Sequence, residues 1–181
     1  MEPLGEMIKE AMIKRFLAYK DLGEKAIRQL DDQQIHWKHR DGDNSIYTIV
    51  KHMHGNMLSR FTDFMNSDGE KTWRKRDDEF KENSADKETI MQLWNEGWAC
   101  VISALGPLCG EDMGKTVTIR GEAHTVADAI LRQIAHYAYH VGQIVYLGKT
   151  IKDNDWENLS IPRDKSTEYN RYIQQKQQHA E

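Results

Sequence analysis

The chain has 181 residues, enough to bury a substantial core in one domain without disulfide staples. Its 39% hydrophobic and 30% charged residues are those of a globular protein rather than a disordered or fibrous one. A formal net charge of -4 argues against a surface that tracks nucleic-acid phosphates, and no apolar run is long enough to span a bilayer.

The first residues, MEPLGEMIKE, lack a basic start followed by an apolar stretch, so a cytoplasmic protein is expected. Residues 4–30 place Met7, Ile8, Met12, Phe16, Leu17, Leu22, Ala26, Ile27 and Leu30 near helical spacing and form the first predicted helix. DDQQIHWKHRDGDNS has no sustained period and reads as a connection, with Asn44 or Ser45 as the N-cap of a second helix from Ile46 to Met65. The polar stretch NSDGEKTWRKRDDEFKENSAD follows as a long surface excursion. Its charged part, 67–82, is either a solvated, ion-paired loop or a clamp on a substrate.

Lys87–Leu105 is the third helix, stopped by Gly106-Pro107, with Trp94 and Trp98 one turn apart as core residues. TVTIRGEAHTV alternates β-branched and polar residues around Arg120-Gly121 and predicts a small hairpin. The fourth helix spans Val126 to Gly148. Beyond it lies a polar tail, whose Trp156 and Ser-Ile-Pro-Arg stretch are expected to dock on the bundle before the end frays. The whole is therefore an all-α chain: a four-helix bundle with a β-hairpin before its last long helix, in one domain over 1–181. Cys100 and Cys109 are expected to be free thiols without a role, and His36, His39, His124 and His179 fall outside the predicted core.

Chemistry concentrates in QIAHYAYHVGQIVYL, residues 133–147. Apolar positions centre on Ile130, Tyr137, Val141 and Ile144, while Gln133, His136, His140 and Gln143 run together down one flank. Histidines at i and i+4 point the same way and can place two imidazole nitrogens on one metal ion; the other reading is a hydrogen-bonded pair at the core edge. HYAYH has Tyr137 where a zinc protease keeps its general-base Glu, which argues against that class. A metal site needs a further ligand. The second helix carries His52 and His54, which diverge by about 200° on a helix, so only one can aim at the pair. His54 lies nearer the apolar centre, whereas His52 begins a polar stripe continued by Asn56 and Arg60; the histidines of the fourth helix also sit on a flanking polar stripe, which favours His52.

A histidine early in helix two and an HxxxH in the last long helix resemble the DinB/YfiT-like superfamily of metal-binding four-helix proteins. KHMHGNMLSRFTDFMNSDGEKTWRKRDDEF, HYAYHVGQIVYLGK and WENLSIPRDKSTEYN resemble a branch of it that is carried as a domain of unknown function. The resemblance implies a bundle of DinB-like type in which His52, His136 and His140 bind one divalent metal, zinc or nickel. It leaves His54 outside the ligand set. Three imidazoles leave an open coordination position, as in catalytic rather than closed structural sites. Some members resemble transferases that use low-molecular-weight thiols such as bacillithiol or glutathione, and others resemble metal-dependent hydrolases or isomerases. The expected partner is thus a small-molecule substrate, with a homodimer also implied. Asn56, Arg60, Gln133 and Gln143, on the same flanks, are expected around the ion: a glutamine to orient an imidazole, and Arg60 to hold an anionic group or merely to pair with an acid on the bundle rim. No general acid or base is assigned, so a non-catalytic metal-binding or interaction module is the competing reading.

Overall fold

Three side-chain caps set the starts of the second, third and fourth helices. Ser45 Oγ accepts from the Thr48 amide at 3.2 Å, Asp86 Oδ1 from Thr89 at 2.8 Å and Thr125 Oγ1 from Asp128 at 3.1 Å. In the structure, a computed structural model describing residues 4–178, they open α2 (Ile46–Phe61), α3 (Lys87–Leu105) and α4 (Val126–Lys152). With α1 (Leu4–Arg28) these helices enclose one core: α1 packs along α4, α2 along α3, and α2–α4 and α1–α3 contacts complete the arrangement. Phe16, Met53, Trp94, Trp98, Tyr137 and Ile144 are buried at its centre. Both tryptophans are core residues, as expected. The described residues are mostly helical, and none of their helices is long and apolar enough to cross a membrane.

Between α3 and α4, β1 (Thr116–Ile119) and β2 (Glu122–Thr125) pair antiparallel, Thr116 opposite Thr125 and Ile119 opposite Glu122. The two-residue connection has positive φ at both Arg120 (57°) and Gly121 (76°), the turn whose twist matches the strands. Val117 and Ile119 face the core.

The boundaries differ from the periodicity in three places. Thr62 leaves the helical region and Asp63 turns to φ 48°, so α2 stops four residues before Met65. Asp63 then closes a turn, with its carbonyl accepting from the Ser67 amide and its carboxylate from Asn66. At the far end, Gly148 is not a stop: a Cβ there would lie 3.0 Å from Trp156 Cζ3, so the glycine makes room for that ring and α4 runs on to Lys152. The tail docks through Trp156 and Leu159 and through the Glu157 backbone, whose amide donates to Gln29 Oε1 at 2.8 Å and whose carbonyl accepts from Gln29 Nε2 at 3.1 Å, while residues 160–165 are exposed. A further helix, α5 (Ser166–Gln178), continues where fraying was expected. His179 lies outside the described residues.

The 66–86 connection is not a free excursion. Asp68 joins it to the hairpin, accepting from the amides of Glu70 (2.6 Å), Gly121 (2.8 Å) and Arg120 (2.8 Å). The Gly69 amide donates to the Thr118 carbonyl, and Ser59 Oγ on α2 donates to the Gly69 carbonyl at 2.8 Å. Amide hydrogen bonds, first from Glu70 and Gly121, hold the Asp68 carboxyl at about 2, below its ordinary 3.8. The folded-state value is depressed, so this contribution is complete above about pH 4 and is lost as the pH falls towards 2. Asp68→Asn is expected to lower stability at pH 7 by about 1–2 kcal/mol, with a difference from wild type that shrinks as the pH approaches 2. Urea unfolding across that range measures it, and a pH-independent difference would reject the charge-assisted anchor.

Candidate metal centre

His52 lies on the buried flank of α2, and His136 and His140 lie one turn apart on the facing flank of α4. Their Nε2 atoms converge. His52 Nε2 is 3.3 Å and His140 Nε2 is 3.1 Å from His136 Nε2, and one nitrogen from each ring lies within 4.8 Å of the others. A tetrahedral ion with Zn–N bonds of about 2.0–2.1 Å holds neighbouring nitrogens about 3.3 Å apart, so the two short edges already have the length that zinc requires.

The outward nitrogens have acceptors that favour one tautomer of each ring. His52 Nδ1 donates to Glu79 Oε2 at 2.9 Å, and His140 Nδ1 donates to Gln143 Oε1 at 2.8 Å. Both Nε2 atoms therefore present lone pairs inward. A proton on His136 Nε2 can be directed at one of them and leaves the other facing a nitrogen without a hydrogen between; a cation satisfies all three together. Burial first, then the neighbouring histidines, holds His136 down to about 3, and burial with the nearby His52 holds His140 down to about 4 against the Gln143 bond. At neutral pH both imidazoles are uncharged, the state that metal ligation needs. Phe80 stacks on His52 with centroids 4.9 Å apart, and Tyr139 lies 4.1 Å from the His140 ring, walling the cluster on two sides.

Behind His52 stands a buried ion pair. Arg74 grips Glu79 in a fork, Nε to Oε1 at 2.8 Å and Nη2 to Oε2 at 2.9 Å, and its own side chain is only 2% exposed. Burial works against the Glu79 carboxylate, but the bonds from His52 and Arg74 and the Arg74 charge outweigh it and lower its pKa. Gly55 permits this approach: any Cβ on it would run into Glu79 Oε1.

Residues 4–165, most of the chain, match the family described as Protein of unknown function (DUF1572). The chain belongs to that family. No curated protein and no solved structure matches it.

In this DUF1572 chain the expected site residues divide. His52, His136 and His140 come together, whereas His54 turns the other way and meets Glu96 on α3 at 3.1 Å. Gln143 orients an imidazole. Gln133 does not; it is buried at 3% exposure beside the cluster, with no partner for its Oε1 among the described residues. Asn56 accepts from the Tyr137 hydroxyl at 3.0 Å and so ties α2 to α4. Arg60 pairs with Glu70 Oε2 at 3.1 Å and donates to the Gly69 carbonyl, the acid-paired arrangement foreseen as its alternative. Sequence reasoning missed Glu79 and Arg74. The one available signal was that their loop falls inside a stretch resembling the family.

Proposed function

We propose that the chain is a DinB-like, divalent-metal-dependent enzyme, with His52, His136 and His140 as ligands to zinc or nickel. Neutral imidazoles suit either ion. The observation that carries the reading is the convergence of three Nε2 atoms at tetrahedral-edge spacing, with two tautomers fixed by outward bonds to Glu79 and Gln143. Four long helices with a hairpin before the last, and one histidine on α2 facing two on α4, support the DinB-like assignment.

Among the described residues no fourth His, Cys, Asp or Glu joins the group. Three protein ligands favour an enzyme over a closed structural site. When bound, the ion would supply Lewis acidity and favour a thiolate over a thiol at neutral pH. The chain's own groups do the rest. Glu79 and Gln143 keep the ligand nitrogens aimed, Phe80 and Tyr139 restrict water, and His52 and His136 open onto a cleft of about 460 Å³. Cys100 is half-buried against the Met57 carbonyl with its thiol pKa raised by burial, and Cys109 is exposed in the connection between α3 and β1; neither lines the cleft. A reacting thiol must therefore come from solution, which makes transfer from a low-molecular-weight thiol the first reaction to test and metal-dependent hydrolysis the second.

Protein purified without an affinity tag is expected to hold about one divalent ion per chain. In the cobalt-substituted protein, glutathione or bacillithiol is expected to raise a near-ultraviolet sulfur-to-cobalt band. Cobalt retained with no spectral response to either thiol would reject the thiol reading, and a protein unable to retain any divalent ion would reject the centre itself.

A further inference from the structure

The cleft beside the histidines is strongly cationic, although the chain as a whole carries a net charge of -4. Five guanidinium groups line it: Arg60 on α2, Arg74 and Arg76 in the 67–82 loop, Arg120 at the hairpin turn and Arg132 on α4. Two carboxylates answer them from within the fold, and the exposed Asp77 is a third, at 3.9 Å from Arg76. Glu79 is engaged by Arg74, and a single oxygen of Glu70, Oε2, lies 3.1 Å from Arg60 Nη1, 3.0 Å from Arg120 Nε and 3.8 Å from Arg74 Nη1.

Three guanidinium groups thus converge on one oxygen of a monoanion. Arg132 has no hydrogen-bond or ion-pair partner among the described residues, and Arg76 reaches only the exposed Asp77, at 3.9 Å, while lying over the Phe80 ring. With Asp77 counted, five positive groups against three negative ones leave an excess of two on the walls of one cleft. Such concentration of one charge sign repels itself and focuses an attractive field on an incoming anion. Gln133 adds a second, independent observation. It lines the same cleft at 3% exposure, with Oε1 buried and the NH2 unbonded to any described residue, so the NH2 is the end of the amide open to an oxyanion.

We infer that the cleft binds a small molecule by a dianionic phosphoryl head. Arg76 and Arg132 supply the uncommitted charges, Arg60, Arg74 and Arg120 form a ring already held in place by Glu70, and the rest of the ligand reaches towards His52 and His136. A tetrahedral oxyanion offers separate oxygens to several guanidinium forks, whereas a monocarboxylate offers one planar edge and leaves the excess charge unbalanced. That the ligand is a substrate rests on the metal-enzyme reading above; that the head binds here does not.

The test is calorimetric titration of chelator-treated, metal-free protein with inorganic phosphate at low ionic strength, alongside metal analysis of the same preparations before treatment. Saturable one-to-one binding is expected. Arg132→Gln and Arg76→Gln are each expected to weaken it about ten-fold, the value of one charge-assisted bond, whereas Arg163→Gln, in the exposed tail, leaves it unchanged. Because Arg132 has no partner among the described residues, its variant is expected to fold as wild type, which thermal unfolding verifies. No saturable heat, equal affinity in both cleft variants, or tighter binding of succinate than of phosphate overturns the inference. Phosphate binding in a protein that never retained metal would reject the metal reading alone, and metal without phosphate binding would reject the anion site alone.

Discussion

His140→Ala is expected to abolish stoichiometric metal retention, weakening affinity for a divalent ion by more than about 100-fold, the upper end of what loss of an outer-shell partner costs. His140 Nε2 lies 3.1 Å from His136 Nε2, and among the described residues no fourth His, Cys, Asp or Glu joins the group to take its place. Two imidazoles would remain, the number too few for a tight site. His54→Ala supplies the contrast. That side chain meets Glu96 on α3, and its loss is expected to leave metal content unchanged. Elemental analysis of tag-free proteins, followed by competition against a chromophoric chelator, measures both. Thermal unfolding of the metal-free forms checks that the difference is not one of folding, since removal of the His140 ring then costs its packing and its hydrogen bonds to Gln143 and His136. Equal metal content in His140→Ala and wild type would remove the centre from consideration.

How much of this was legible in the sequence depends on the range of the pattern involved. The helix cores and the hairpin follow from local period and turn chemistry, and Ser45 was one of two named caps. The histidine pair was legible because i and i+4 share a face by geometry. His52 was favoured over His54 by the polar stripe that it begins with Asn56 and Arg60, and the resemblance then chose it outright. The structure separates them physically: one faces α4 and the other faces α3. Gln133 and Gln143 were equivalent on the stripe. Only Gln143 lies where its amide oxygen meets His140 Nδ1.

What the sequence hid was long-range. Glu79 reaches His52 across 27 residues of chain, from a loop without any period, and nothing in RKRDDEF marks one acid out of three. The arginine cleft is assembled from two helices, a loop and a turn, so the residues that make it cationic never appear as a basic run. The same loop looked solvated because it is charged. In the folded chain its charges answer one another, and Arg74 is buried.

That buried pair sets the second large effect. Glu79→Ala is expected to destabilise the protein by about 3–5 kcal/mol, because it leaves the Arg74 guanidinium buried with only Glu70, 3.8 Å away, for company. It is also expected to weaken metal binding by about 10–100-fold, because His52 Nδ1–H loses the carboxylate that fixes its tautomer and direction. The two consequences have different causes and can be separated. Replacing both charges, Glu79→Leu with Arg74→Met, removes the uncompensated ion and should recover most of the lost stability, since a buried pair exchanged for apolar groups of similar volume is often near neutral. It cannot restore the acceptor behind His52, so metal affinity should stay low. Glu79→Gln keeps an acceptor for the imidazole but not the charge for Arg74, and should therefore bind metal better than Glu79→Ala while remaining less stable than the double variant. Gly55→Ala approaches the same point from the other side, since its added methyl displaces the carboxylate while both charges remain. Urea unfolding of the metal-free proteins gives the stabilities, and metal competition gives the affinities. A double variant that regains both stability and wild-type affinity would show that Glu79 acts on the fold alone, and that the direction of His52 is set by α2 and the Phe80 ring without it.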